Sequence, residues 1–348
     1  MLEVGSYPVV NGGKEYSGYT DKFNENANSI TISQGGESAG FVNWVNISFW
    51  AGAHCYVVEI PEGYDSRYLY HTLKNKERDI QLSKQGAGIP GLNRDTLYKQ
   101  VIPVPTLSVQ TRIVGILDTF TSSIENLKEQ IALRRKQYEY YRDQLLDLEG
   151  KEIESRLSFG EDFQLKARVG WQGLTKKEYR TTGEYKLVTG TDFTSNLRID
   201  FNNCVYVDKE RYEQDDYIKL RVDDVLITKD GTLGKVAYID VIDMPATLNG
   251  GVFVVRDLQK RVLPKFIMYY LTSYHFKKWM QQNHTTGSIQ HLTQKLLSSF
   301  NIPVFKISEQ QRIVSILDTF DVCINNLESQ LVQREKQYEY YRNKLLTF

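Results

Sequence analysis

Cysteine is scarce: three residues in 348, Cys55, Cys204 and Cys323, odd in number and far apart. That argues against a disulfide framework and fits a reducing compartment, with the cytoplasm as the expected address. No apolar run approaches the length needed to span a bilayer, so no transmembrane helix is expected. The opening MLEVGSYPVVNGGKEYSGYT has neither a basic nor an apolar region of the secretory kind. A charge excess is missing too: 43 Lys+Arg balance 43 Asp+Glu. This counts against a non-specific polyanion binder, whose affinity comes from a large basic surplus.

Catalytic motifs are equally thin. The sequence holds no G-x-x-x-x-G-K-[ST] phosphate loop and no strand-borne G-x-G-x-x-G. Neither an Asn-Pro-Pro-aromatic nor an Asp-Pro-Pro-aromatic tetrad occurs. The five histidines, His54, His71, His275, His284 and His291, form no i, i+4 metal pair, and no Cys-x-x-Cys is present. Glu184-Tyr185-Lys186 has the Glu-x-Lys form of metal-dependent nucleases, a tripeptide common by chance and read here as structural. The chain is expected not to be an enzyme by itself, with no metal or cofactor of its own.

What is present is a repeat. RIVGILDTF at 112–120 returns as RIVSILDTF at 312–320, and KQYEYYR at 136–142 returns at 336–342, without a gap and at an offset of 200. Each copy reads as one long helix, with Ser108 or Ser308 as N-cap and Gln311 completing a capping box. Apolar residues alternate in steps of four and three. The first series runs Ile113, Leu117, Phe120, Ile124, Leu127, Ile131, Arg134, Tyr138, Tyr141, Leu145, and the second repeats it 200 residues on. This is the seam of a left-handed coiled coil, and about 40 residues would make a rod of ~60 Å. Arg134 and Arg334, charged within the seam, are read as snorkelling to the rim and pairing with neighbouring Glu. Two such helices in one chain are expected to pair with each other, antiparallel. The clustered Tyr138, Tyr140 and Tyr141 and their copies read as core and interface rather than a stacking platform.

The remaining segments, 1–106 and 151–307, share a skeleton. Each has a glycine-punctuated hairpin, SITISQGGESAGFVNW from Ser29 or DVLITKDGTLGKVAYID from Asp224. Each continues with a Val-Val strand, an apolar-aromatic helix (Ser66–Leu73 or Pro264–Met280), a Gly-containing loop and Ile-Pro. The fold class predicted is α+β: two globular domains, each a compact sheet with helices on one side, and two long helices. The expected bounds are 1–106, 107–150, 151–307 and 308–348. Tyr7-Pro8-Val9-Val10 aligns with Tyr185-Lys186-Leu187-Val188, so the first domain has no counterpart to 155–184 and is expected to be short at its start.

In this order of parts, with IPV…RIVxILD at each helix start, a GSIQHL-type loop before Ile-Pro and the DVLI…G…G hairpin, the chain resembles the specificity subunit of type I restriction–modification systems. The resemblance covers nearly the whole sequence. It implies two target recognition domains that each read half of a split double-stranded DNA site. It also implies helices that act as a ruler and dock modification (methyltransferase) subunits, joined by ATP-dependent restriction subunits. S-adenosylmethionine, ATP and Mg would then belong to those partners. Because the two domains differ in sequence, the site is expected to be asymmetric and interrupted.

Reading base edges needs hydrogen-bonding side chains on loops. The candidates in the first domain are Asn11, Tyr19, Gln34, His54, Asn93 and Arg94. In the second they are Thr189, Thr191, Lys229, Asn249, Ser288, Gln290, His291 and Thr293, with Lys176, Lys177 and Arg180 as phosphate contacts. Against these stand an ordinary solvated-loop reading for each residue, and two other readings for the chain. One is a coiled-coil scaffold without DNA recognition; the other is a nuclease using Glu184 and Lys186.

Overall fold

The computed structural model describes residues 4–86, 90–169, 173–283 and 292–347. The chain divides into two compact units, Met1–Glu129 with Glu328–Phe348, and Gln130–Leu327. Both boundaries fall inside the long helices, so each unit owns half of each helix.

The first unit opens with β1 (Tyr7–Val10), β2 (Tyr19–Thr20), β3 (Ser29–Ser33), β4 (Val42–Val45), β5 (Trp50–Ala51) and β6 (Cys55–Val58). These make two small sheets, β2-β1-β5 and β4-β3-β6, where a single sheet was expected. The predicted hairpin is β3–β4, paired from Ser29↔Val45 to Ile32↔Val42. Three short helices follow, α1 (Ser66–Asn75), α2 (Glu77–Leu82) and α3 (Arg94–Tyr98), then α4 (Leu107–Leu146). Ile30, Ile32 and Val42 pack with Leu69, Leu73, Ile80 and Leu92 in the core.

The second unit adds β7 (Ser155–Ser158), β8 (Gln164–Lys166), β9 (Tyr185–Val188), β10 (Val205–Val207) and α5 (Lys209–Tyr212). Then come β11 (Val225–Thr228), β12 (Val236–Tyr238), β13 (Ala246–Leu248) and β14 (Val252–Arg256). The chain ends through α6 (Pro264–Thr272), α7 (Tyr274–Asn283), α8 (Gln294–Ser298), β15 (Asn301–Val304) and α9 (Ile307–Leu346). Its sheets are β10-β9-β13, β12-β11-β14-β8 and β15-β7. Gly234 closes the β11–β12 hairpin at φ +72°, where a Cβ would sit 2.9 Å from Met280 Cε. The helix expected over Pro264–Met280 is two, broken at Ser273, whose hydroxyl donates to the Tyr270 carbonyl.

The helices pair within each unit. In the first, Phe120 stacks on Tyr341 with ring centroids 5.3 Å apart, and Lys128 Nζ lies 3.2 Å from Glu335. One number rises as the other falls, so the segments run antiparallel. In the second, Tyr141 stacks on Phe320, while Leu145 and Leu146 join Ile313 and Leu317 in the core.

Three details depart from expectation. The helices begin at Leu107 and Ile307, so Ser108 and Ser308 lie inside the first turn rather than at the cap. Buried Gln110 and Gln310 do the anchoring instead. Gln110 donates to the Gly63 and Pro105 carbonyls and accepts from Asp65 N; Gln310 does the same with Arg261, Phe305 and Leu263. At the far end, Arg142 and Leu146 are buried while Tyr141 stays exposed, because the last turn leaves the helix seam for the globular core. Arg134 and Arg334 bond Gln137 and Gln337, not Glu, and Arg334 also lies over the Phe120 ring.

Candidate nucleic-acid interface

In the first unit, five of the candidates converge where four connections meet. β1 ends at Val10, and the Asn11 side chain turns to accept from His54 N at 3.1 Å. The His54 carbonyl accepts from Gln34 N, and the Gln34 carbonyl accepts from Leu92 N at 2.7 Å. That places the start of α3 beside the hairpin. Asn93 caps α3 by accepting from Asp95 N. The Arg94 guanidinium lies over the Tyr56 ring at 5.6 Å, and the Tyr56 hydroxyl holds the Leu92 carbonyl. Asn11, Gln34, His54, Asn93 and Arg94 thus form one polar crown. Tyr19 sits elsewhere, opposite Pro8 on β1 and edge-on to Tyr16.

The second unit builds the same crown from different side chains. Lys229 N donates to the Gly251 carbonyl, and the Lys229 carbonyl accepts from Leu292 N at 3.1 Å. Lys229 therefore stands where Gln34 does, Gly251 where His54 does, and Thr293, the N-cap of α8, where Asn93 does. Thr189 follows β9 as Asn11 follows β1, but its side chain works locally. It bonds Thr191 at 2.7 Å and Asp192 at 2.9 Å, capping a short 3-10 turn. Burial pushes the Asp192 carboxyl up, against the hydrogen bonds from Thr189 that favour its charge. The Lys229 ammonium lies 5.2 Å from the centre of the buried Phe253 ring.

Lys229, Asp230, Leu292, Thr293, Gln294 and Arg168 line a cavity of about 380 Å³ in this crown. Arg168 is almost wholly buried and bonds neutral groups: the Leu248 and Arg211 carbonyls, Gln214 and Thr247. Burial lowers its hold on the proton, with neighbouring Arg211 acting the same way. The Lys229 ammonium thus shares this recess with the Asp230 carboxylate and with apolar Leu292 and Phe253.

Asn249 is more a strut than a probe. Its amide nitrogen bonds the Tyr179 hydroxyl, its side-chain oxygen accepts from Gly251 N, and its backbone N donates to the Val188 carbonyl. Arg180 pairs with Asp208 at 2.8 Å and bridges to Tyr206. Lys176 and Lys177 are exposed on a short 3-10 turn without an ion pair among the described residues. Ser288, Gln290 and His291 lie outside the described residues. Lys186, the nuclease candidate, is buried against Asp243 at 2.7 Å, a salt bridge that leaves its ammonium no open face. Two crown residues were missed. Gln294 was legible, since it stands 200 positions after Arg94; Arg168 was not, because the first domain has no counterpart to it.

The type I restriction modification DNA specificity domain model matches residues 2–134 and 172–334. A Haemophilus influenzae chain described as a type I restriction enzyme specificity subunit is 28% identical over 352 residues, spanning 97% of this chain and 87% of that one. The specificity subunit of an Escherichia coli type I restriction enzyme is 33% identical over 257 residues, 71% of this chain and 61% of its own length. The crystal structure of a type I restriction–modification S subunit from M. genitalium superposes with TM-score 0.65 at 21% identity, covering 100% of this chain and 90% of that one. It shares the fold.

Proposed function

Because the chain belongs to the family of type I restriction–modification DNA specificity subunits, we propose that its two crowns read the two halves of an asymmetric, interrupted DNA sequence. One observation carries this reading. The same backbone frame recurs in both units while the side chains on it differ: Gln34 against Lys229, His54 against Gly251, Asn93 against Thr293, Arg94 against Gln294. Equal frames bring equal parts of a groove within reach, and unequal donors and acceptors select unequal bases. Arg94 and Lys229 supply donors for purine acceptors, and Lys176 and Lys177 reach phosphates.

In this reading the helices fix the spacing of the half-sites, and near one helical turn of ~34 Å both would face the same side of the duplex. Their outer surfaces dock modification subunits, which bring S-adenosylmethionine and the methyl transfer. Restriction subunits bring ATP and Mg. The chain itself contributes recognition and no bond-making step.

The test is assembly. The chain co-expressed with its modification subunits is expected to methylate one split, non-palindromic motif, read by methylome sequencing. A stable complex that adds no methylation in a cell would refute the proposal and favour a scaffold.

A further inference from the structure

The turn that joins β11 to β12 carries a side chain that the first unit lacks. Lys229 and Asp230 follow β11 directly, and both line the recess of the second crown. The turn is tied at its base. The buried Thr228 hydroxyl donates to the Thr232 carbonyl and accepts from Lys235 N at 3.0 Å. Gly231 and Gly234 take φ of +73° and +72°, left-handed values that let the chain reverse there. Lys229 is held through its own backbone to Gly251 and Leu292. Two side chains of opposite charge therefore leave a fixed frame next to one another.

The repeat shows that this pairing is no part of the frame itself. Gln34 stands where Lys229 does and Gly35 where Asp230 does, while His54 faces them in place of Gly251. A Cβ on Gly251 would sit 3.6 Å from Asp230 Oδ2, so in the second unit bare backbone lies beside the carboxylate. In the first unit the facing loop carries the side chain and the hairpin residue is the bare one. Asp230 is exposed and Lys229 half-buried. Lys229 has no ion-pair partner among the described residues, and its ammonium rests 5.2 Å from the Phe253 ring centre.

Phosphates repel a carboxylate, so on a DNA-facing turn its donors are the exocyclic amino groups of bases. In the major groove a G·C pair offers the N7 and O6 acceptors of guanine and, next to them, the N4 amino donor of cytosine. We propose that Lys229 and Asp230 together read one G·C pair of the second half-site, an inference that rests on reading the crowns as DNA readers. Lys229 donates to guanine N7 or O6, and Asp230 accepts from cytosine N4. The carboxylate also excludes A·T, because thymine O4 would face it as a second acceptor. Gln34 and Gly35 present an amide and no carboxylate at the same place, so the two half-sites differ there.

Methylome sequencing of the assembled complex tests this, with Asp230→Ala and Lys229→Ala variants beside the unaltered chain. Asp230 is exposed, so its truncation leaves the core intact. The unaltered complex should methylate a split motif with an obligatory G·C pair in one half. Asp230→Ala should relax that one pair to G·C or A·T, and Lys229→Ala should alter the same pair, with every other position kept. Competition binding to duplexes that differ only there should favour G·C over A·T by about tenfold or more, falling to about twofold or less in Asp230→Ala. No methylation by the unaltered complex would fell the reading of the crowns itself. A split motif without that G·C pair, one that Asp230→Ala leaves unchanged, or methylation that falls evenly at every site, as a purely structural turn residue would cause, overturns this inference and leaves that reading standing.

Discussion

His71 Nε2 lies 2.8 Å from an Asp118 carboxylate oxygen, and the imidazole's other nitrogen lies 3.1 Å from the Tyr338 hydroxyl. The neutral ring fits this geometry, donating from Nε2 and accepting at Nδ1. Arg67 completes the site with a salt bridge to the same carboxylate. Tyr269 and Lys265 hold the equivalent places in the second unit, both bonded to Asp318 at 2.7 Å. The docking of the globular part on its helices therefore runs through a histidine in the first unit and a tyrosine in the second.

Burial lowers the His71 pKa below 6.5, outweighing the hydrogen bond that the ring donates to Asp118, which acts against it. Burial alone would raise the Asp118 carboxyl, but hydrogen bonds from His71 and Arg67 bring it down to about 2. Both shifts have the same sign for stability. The unfolded chain binds each proton at a higher pH than the folded one, so stability is full above the ordinary values and is lost as pH falls through them. The first unit should thus lose stability from about pH 6.5 downward, and again between about 4 and 2. Thermal unfolding across this range checks it, and His71→Tyr, which copies the second unit, should remove the upper step.

Tyr138 and Tyr338 occupy the same repeat position with opposite consequences. The Tyr338 hydroxyl bonds His71, whereas the Tyr138 hydroxyl is buried and meets no hydrogen-bond partner among the described residues. Tyr338→Phe should destabilise by about 1 kcal/mol, while Tyr138→Phe should be neutral or slightly stabilising. Denaturant unfolding of the two variants gives the contrast directly.

Gln110 and Gln310 each satisfy three backbone groups at the start of a long helix. Replacement by Ala leaves buried donors and acceptors unmade, at a cost of about 2–4 kcal/mol per site. Urea titration should show the loss in the unit that carries the change.

If Lys176 and Lys177 meet phosphates, Ala at each should weaken DNA binding by the assembled complex alike for every sequence. The slope of log K against log salt should become shallower by about 1 per lost contact. A change in preferred sequence instead would place them at base edges.

Much of this molecule was legible before its structure. The helices were, because RIVxILDTF and KQYEYYR repeat without a gap, and so were the hairpins, because glycine marks their turns. The cap was misplaced because Ser108 looks local while Gln110 acts across 47 residues to Gly63. β7 was hidden for a similar reason: its partner β15 lies more than 140 residues away, and four residues of SRLS carry no strand signal alone. The crown was legible only in part. Loop positions could be aligned between halves, yet which side chains turn inward, as Asn249 and Thr189 do, depends on contacts that spacing does not encode.

The central claim, that each crown reads its own half-site, is tested most directly by moving one crown's side chains onto the other. Lys229→Gln, Thr293→Asn and Gln294→Arg together place the first unit's residues on the second unit's frame. Methylome sequencing of the assembled complex should then show one half of the split motif altered and the other half and the spacer unchanged. A motif altered in both halves, or one that stays as it was, would contradict the account.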